Sequence, residues 1–309
     1  MTDQRPWVDV RDLVTVARLV VLAAAWTLPE RRWAAFCRSL AGVAARGRKW
    51  RSRTACFAEF ADRHEPALAP PLWARAYLAS TFLADMMLMR CHLPGSWAPA
   101  WRLDGREHLQ SALAAGTGAV LWGAPFASRD LMAKMTLHLA GYPVHHLSRI
   151  EHGFSATRVG IMLLNPLRTR IEERYLAARV IMAPEAPAAA MRTLMQCLAG
   201  NGIVSVSFGR QGRSVHRVPF LDGALEIAAG APDLAARCGA ALLPVYTVRE
   251  PDGTLVTTID APLDLASGDG RAGRNAAAAG AFAKRLEPIA LRHPDQVAWH
   301  ALMPPAESR

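Results

Sequence analysis

The stretch GAVLWGAPFASRD, residues 118–130, carries the pattern that decides the fold. A short apolar run follows a Gly-Thr-Gly turn and ends at Gly123 and Pro125, which is typical of a buried strand and the turn after it. Ser128 and Asp130 then begin a predicted helix. Such a unit places side chains at the carboxyl edge of a parallel sheet, which is where the ligand-binding and active sites of α/β proteins lie. Yet the turn holds no acid, base or nucleophile before Ser128.

The same alternation of strand and helix continues towards the carboxyl end of the chain. A hairpin through Pro251, Asp252 and Gly253 is predicted to join the last two strands. The predicted strands are 118–124, 143–148, 178–183, 202–208, 241–250 and 253–260, and the predicted helices are 128–140, 155–164, 187–199, 232–239 and 275–291. This order predicts an α/β fold with a mainly parallel sheet flanked by helices. Because residues 1–105 show only helical patterns, we divide the chain into a helical amino-terminal segment, 1–105, and an α/β core, 106–309.

Composition restricts the partners of the chain. The formal net charge is +10, carried by 33 arginines and three lysines, and it favours an anionic partner such as a phosphate group or an acidic lipid surface. A nucleic acid is not expected, since the sequence contains no basic module interleaved with aromatic residues. The five cysteines are scattered without a C-x-x-C pair, which fits a reduced cytosolic chain better than a disulfide framework.

The amino-terminal segment has two features on which the sequence leaves alternatives open. An apolar stretch at 13–28 precedes a basic run at 46–53, as in an interfacial membrane anchor, although a core helix with a solvated charged loop has the same pattern. The stretch is shorter than the ~20 residues that span a bilayer. Further on, Met86, Met87 and Met89 are either core filler or the lining of an acyl-chain groove.

Two other clusters suggest binding chemistry. His145, His146 and His152 surround Glu151, but their spacing does not match a zinc motif, so no metal site is predicted. The stretch GRQGRSVHRVPF, 209–220, combines glycines with arginines as a phosphate cradle does, whereas a solvated loop remains the alternative. The predicted donor-binding residues are Arg149, Arg210, Arg213 and Arg217.

The carboxyl half carries a family resemblance. Residues 202–253 contain Val218-Pro219-Phe220, a G-x-P-x-L-A segment from Gly230, a G-A-x-x-x-P-V strand from Gly239, and Arg249 before Asp252-Gly253. The ending HPDQVAWH, 293–300, resembles a P-E-Q-W-x-W-x-H tail. In order and spacing, this chain resembles the bacterial lipid A late acyltransferases and the mycobacterial phosphatidylinositol mannoside acyltransferases, of the lysophospholipid acyltransferase superfamily, from about 106 to 302.

The resemblance implies a glycerolipid acyltransferase-like αβα fold at the cytoplasmic face of the inner membrane, held peripherally or by one amino-terminal anchor. It also implies transfer of an acyl chain from an acyl carrier protein or coenzyme A thioester to a lipid hydroxyl, with no cofactor. The family motif is H-x-x-x-x-D/E, in which the histidine is the general base and the acid orients it. In this chain Asp130 retains the acid, whereas Pro125 takes the place of the histidine. An acidic pair common in the family is replaced as well, by Phe208, Gly209 and Arg210.

Three interpretations follow from the missing histidine. His145 or His146, predicted to end a neighbouring strand, could act beside Asp130 as a relocated base, with Ser128 as a further candidate catalytic group. Alternatively, a strongly nucleophilic acceptor such as an amine needs only positioning and oxyanion stabilisation. In the third interpretation the chain binds a lipid or a carrier-bound acyl group without catalysis.

Overall fold

A computed structural model describes residues 5–95, 97–127, 131–183, 185–210, 212, 214–221 and 223–298. Within them, the strands are β1 (Trp101–Asp104), β2 (Ala119–Gly123), β3 (Val144–Arg149), β4 (Ala178–Met182), β5 (Ile203–Ser207), β6 (Val215–Phe220), β7 (Gly223–Ala228), β8 (Ala241–Arg249) and β9 (Leu255–Ile259). The α-helices are α1 (Val10–Leu22), α2 (Trp33–Ala44), α3 (Arg48–His64), α4 (Pro70–Arg90), α5 (Arg106–Ala114), α6 (Met132–Leu139), α7 (Asn165–Glu173), α8 (Pro187–Ala199), α9 (Gly230–Cys238) and α10 (Gly270–Arg292).

Seven strands form one sheet in the order β1-β9-β8-β2-β5-β3-β4. Its neighbouring strands are parallel, except for the antiparallel pair β8–β9 that the predicted hairpin joins. The structure therefore confirms the predicted α/β fold with a mainly parallel sheet. Strands β6 and β7 form a separate antiparallel pair, which the sequence did not predict.

The central strand β2 is buried on both faces, which explains its continuous apolar sequence. Trp122 faces α10 and stacks on Phe282 with ring centroids 4.3 Å apart, whereas Leu121 belongs to the core cluster on the other face, with Leu137 of α6. Gly118, before the strand, has φ +71°, and a Cβ there would lie 2.8 Å from the Gly202 carbonyl oxygen. Glycine is thus required where β2 begins.

Two further elements differ from the sequence-based prediction. Strand β1 lies inside the region predicted to contain only helices, and it pairs with β9 at the edge of the sheet. The helix predicted at 155–164 is instead a π-helical turn, Gly160–Leu164, that continues into α7. The proline after Asn165 begins this helix rather than ending one, because proline is compatible with the first helical turn.

The amino-terminal helices pack around α4, which supplies much of a second core. Met86, Met87 and Met89 are buried there, so most of the methionine cluster fills the core. Two ion pairs to the buried Asp85 fix neighbouring helices to α4: one from Arg18 of α1 at 3.2 Å and one from Arg168 of α7 at 2.9 Å. In the part of the chain that the structure describes, no helix is both long and apolar enough to cross a membrane.

Candidate active site

The turn after β2 lies at the carboxyl edge of the sheet and is fixed by backbone hydrogen bonds. The amide of Ala124 donates to the Val245 carbonyl at 2.8 Å, and that of Ala127 donates to the Gln296 carbonyl at 2.8 Å. The carbonyl of Pro125 accepts from Ala298 at 2.7 Å. The turn at Pro125, where the resemblance would place the family histidine, is therefore held by the main chain. Ser128 and Asp130 lie outside the described residues.

The segment that holds this turn is the carboxyl-terminal tail. The side-chain amide of Gln296 accepts from the Arg249 backbone amide at 2.7 Å and donates to the Arg249 carbonyl at 2.8 Å. Helix α4 fixes the preceding residues, because Trp73 donates to the Pro294 carbonyl and Ser80 donates to Asp295. The tail residues that carry the family resemblance thus join α4 and β8 to the turn.

Arg249, at the end of β8, is half-buried in this arrangement. Burial lowers the pKa of its guanidinium, and the nearby Asp295 carboxylate partly opposes that shift. A buried cation beside one carboxylate is costly unless its hydrogen bonds are satisfied. Arg249 therefore connects the end of β8 to the tail, through its backbone hydrogen bonds with Gln296 and its charge near Asp295.

A layer of polar side chains lies under α6, on the face of the sheet that continues from Gly123. Ser205, Ser207 and Thr247 of the strands face Lys134 of the helix, although a sheet face below a helix is usually apolar. They surround a cavity of about 30 Å³ whose wall includes Gly123, large enough for an ordered water molecule. The polar layer extends the candidate site from the turn into the protein.

The two candidate histidines of β3 project to opposite faces of the sheet. His146 enters the polar layer, where its Nδ1 lies 2.7 Å from the hydroxyl of Ser205. His145 faces α8, with Nδ1 3.3 Å from the Cys197 thiol. Their predicted placement at the end of a strand next to β2 is wrong, since they are the second and third residues of β3 and β5 lies between β3 and β2.

A buried ionic cluster adjoins the polar layer. Glu172, on the last turn of α7, is fully buried and forms an ion pair with Lys134 in the first turn of α6. Its Oε2 also lies 2.8 Å from Nε2 of His152, on the loop after β3. The rings of His152 and His146 approach to 6.3 Å between centroids. Among the described residues, no three side chains of His, Cys, Asp or Glu are placed so that they could hold a metal ion together.

The described members of the predicted phosphate-binding arginines lie on three different segments. Arg149 ends β3, whereas Arg210 follows β5 and Arg217 lies on β6. Arg210 pairs with Glu226 of β7 at 3.2 Å, and Arg217 is opposite the same glutamate in the β6–β7 register. Arg210 and Arg217 therefore both lie beside Glu226, one as its ion-pair partner and the other as its cross-strand neighbour. Arg213 is outside the described residues.

The outer face of α1 is apolar. Its exposed residues recur at helical spacing, and Asp12 fixes the helix to the loop before the π-helical turn by accepting from Ser155 at 2.6 Å and Thr157 at 2.8 Å. A Cβ at Gly160 would lie 2.1 Å from the Ser155 hydroxyl, so this close contact needs glycine. The exposed apolar residues of α1 and of the π-helical turn form one surface, which we call the α1 surface. Its exposed members are Trp7, Val10, Leu13, Val14, Val20, Val21, Met162 and Leu163.

An apolar pocket of about 310 Å³ lies beside the α1 surface. Val16 and Val20 of α1 line one side, and Leu164 and Leu167 line the other. Met89 also contributes, so one member of the buried methionine cluster does line an apolar groove. The pocket has the chemistry of an acyl-chain site, with no charged side chain in its lining.

Sequence reasoning missed Glu172 and Lys134 as site residues and considered His152 only as a metal ligand. The signal for Lys134 and Glu172 is that each places a charged side chain on the buried face of a helix. It also gave Gln296 no role beyond the family tail.

Comparison with known proteins identifies a family. The family model described as "Bacterial lipid A biosynthesis acyltransferase" matches residues 10–302. One similar solved structure is the crystal structure of the 1-acyl-sn-glycerophosphate (LPA) acyltransferase PlsC from Thermotoga maritima, with 13% identity, a TM-score of 0.36, and coverage of 77% of this chain and 95% of that chain. No curated protein sequence matches the chain.

Proposed function

The chain belongs to the bacterial lipid A biosynthesis acyltransferase family, and on that premise we propose that it transfers an acyl group from a thioester to a lipid or small-molecule acceptor. The observation that carries the proposal is the intact frame around Pro125. The turn, the tail with Gln296 and the half-buried Arg249 are all held together although the proposed motif position carries proline.

The proposed donor is a thioester of an acyl carrier protein or of coenzyme A. Both end in a phosphopantetheine arm, and the arginine pair around Glu226 supplies donors for its phosphate. Arg149 lies at the same edge, where β3 ends. Asp130 keeps its proposed role as the acid of the motif, and the thioester carbonyl would lie near the turn at Pro125.

The α1 surface is proposed to rest on an anionic membrane. Its apolar centre is accompanied by exposed arginines, with Arg11 on α1 and Arg31 and Arg32 after Trp26. The basic run at 46–53 lies in and just before the first turns of α3, where Arg48 and Arg51 are exposed. An apolar face with a basic rim fits the headgroup region of an anionic bilayer. Peripheral binding at the cytoplasmic face of the inner membrane accords with this surface.

A second candidate function is binding without catalysis. It is favoured by Pro125 alone, because proline has neither a titratable side chain nor an amide donor. In that case the chain would hold a lipid or a carrier-bound acyl group at the same edge of the sheet.

A transfer assay with the full chain separates the two functions. Lauroyl–acyl carrier protein and lauroyl-coenzyme A are each mixed with vesicles that contain a lipid with a free hydroxyl or a free amine, and the products are analysed by mass spectrometry. Acyl transfer above the rate without protein supports the enzyme. Binding of either thioester in calorimetry, with no product from any acceptor, supports the binding function instead.

A further inference from the structure

The buried ionic cluster places a histidine–carboxylate pair at the edge where the motif histidine is missing. His152 follows the carboxyl end of β3, and the turn at Pro125 follows the carboxyl end of β2 in the same parallel sheet, with β5 between the two strands. The 2.8 Å separation of His152 Nε2 from Glu172 Oε2 is that of a hydrogen bond. Both functional groups of the family dyad are therefore present, on residues outside its motif.

The environment of this pair suits a proton acceptor. Glu172 is fully buried and the side chain of His152 is 19% exposed, so the carboxylate is fixed while the ring reaches solvent. When Nε2–H donates to Glu172, the free lone pair is on Nδ1. A carboxylate that fixes the tautomer and stabilises the imidazolium is what a general base requires. Lys134 supplies the positive charge that a buried carboxylate needs.

The cluster is continuous with the polar layer below the turn. Lys134 and His146 line the cavity whose wall includes Gly123, two residues before Pro125. The ring of His152 packs edge-on against that of His146. In contrast, His145 is on the opposite face, against Cys197. Of the three histidines in this region, His152 has the buried carboxylate partner and the exposure to meet an acceptor.

We propose that His152, oriented by Glu172, is the general base that serves acyl transfer in place of the motif histidine, an inference that rests on the proposed function. The acceptor oxygen or nitrogen attacks the thioester carbonyl while its proton moves to Nδ1 of His152. The carbon–sulfur bond then breaks, and the imidazolium returns the proton to the leaving thiolate. The products are the acylated acceptor and the free thiol, and the pair returns to its starting state.

The test uses His152→Gln, whose amide can still donate to Glu172 but cannot accept the proton. We expect kcat to fall by ~10²–10⁴-fold, the usual effect of removing a general base, with KM little changed. The kcat of His152→Ala should fall similarly, and part of it should be recovered when imidazole is added. The matched control is His138→Ala, which removes an exposed histidine at the far end of α6 and should keep the parent rate.

The role of Glu172 has its own readout. Glu172→Gln leaves Lys134 buried beside a neutral partner, so its fold is checked by thermal unfolding. The double variant Glu172→Met with Lys134→Met removes both charges and also the acceptor of the His152 hydrogen bond. Long-range ¹H–¹⁵N correlation spectra should show His152 as the Nε2–H tautomer in the parent chain and a mixture of tautomers in the double variant. A tautomer unaffected by the double variant would remove Glu172 from the proposal.

The outcomes separate the two proposals. If the parent chain transfers lauroyl groups and His152→Gln transfers them equally fast, the dyad is overturned and the acyltransferase stands. If the parent chain transfers none to either acceptor, the proposed function fails and the dyad fails with it.

Discussion

Gln296 is joined to Arg249 by two hydrogen bonds, in which one side-chain amide satisfies both backbone groups of the arginine. The residues are 47 positions apart, and the backbone carbonyl of Gln296 also holds Ala127 in the turn at Pro125. The tail, strand β8 and the candidate site thus form one unit.

Gln296→Ala should lower the free energy of unfolding by about 1–3 kcal/mol, because it leaves buried backbone groups of Arg249 without partners. Acyl transfer should fall as well, since the turn loses its support. Urea unfolding followed by circular dichroism measures the first effect. Gln110→Ala, at an exposed position of α5, is the control and should unfold like the parent chain. Equal stability of the two variants would contradict the role of Gln296.

Pro125→His rebuilds H-x-x-x-x-D and should impair the native reaction, because the turn is shaped around proline and needs no amide donor there. Its carbonyl would still accept from Ala298, so the fold should survive. Pro125→Ala is the matched variant, since it removes the ring without adding an imidazole. A chain that gains transfer to lipid hydroxyls through Pro125→His, when the parent has none, would favour the binding function.

The arginine cluster should determine donor affinity. Changing Arg210, Arg213 and Arg217 together to Ala should weaken coenzyme A binding, measured by calorimetry, by at least ~10-fold, since charge-assisted bonds to phosphate are lost. Glu226→Ala should act oppositely and tighten binding, because the carboxylate competes for Arg210. The exposed ion pair itself contributes at most ~1 kcal/mol to stability, so neither change should unfold the protein. Unchanged affinity in both variants would mean that the loop is only a solvated surface.

The α1 surface should bind vesicles that contain phosphatidylglycerol more tightly than neutral phosphatidylcholine vesicles, and high salt should reduce the difference. Val14→Asp and Leu163→Asp should each weaken sedimentation with vesicles by at least ~10-fold, because each lost buried methylene costs ~0.8 kcal/mol and a charge is added. Leu139→Asp alters another exposed apolar residue, at the far end of α6, and should bind as the parent does. If all three variants sediment alike, the α1 surface is not the part of the protein that contacts the membrane.

Asp12 should contribute stability that depends on pH. The hydrogen bond from Ser155, followed by those from the Asp9 backbone and Thr157, lowers the pKa of Asp12 below its ordinary value of 3.8. Because the folded pKa is depressed, the contribution is fully present above about pH 4 and is lost as the pH falls through the folded pKa. Asp12→Asn should therefore be less stable than the parent at pH 7, and the two should converge in strong acid. A stability difference that stays constant from pH 7 to acid would contradict this origin.

Local sequence patterns predicted β2, β3, β4, β5 and β8 to within one or two residues, because a buried strand needs a continuous apolar run between turn residues. They missed β1, whose four residues are too few to show a period. They also missed the β6–β7 pair, since Pro219 lowers strand propensity and is tolerated only in a pair of edge strands.

The sequence by itself determined the fold class and the family resemblance, because both depend on short patterns whose residues are near one another in the chain. The place of Pro125 at the position of the motif histidine stays a prediction from that resemblance. Only the tertiary structure decided which histidine meets a carboxylate. Strand order is set by crossover connections and helix packing, and it placed β5 between the turn and β3. The tertiary structure also brought His152 to Glu172. This contact joins a loop to a helix, and it leaves no periodic signal in the sequence.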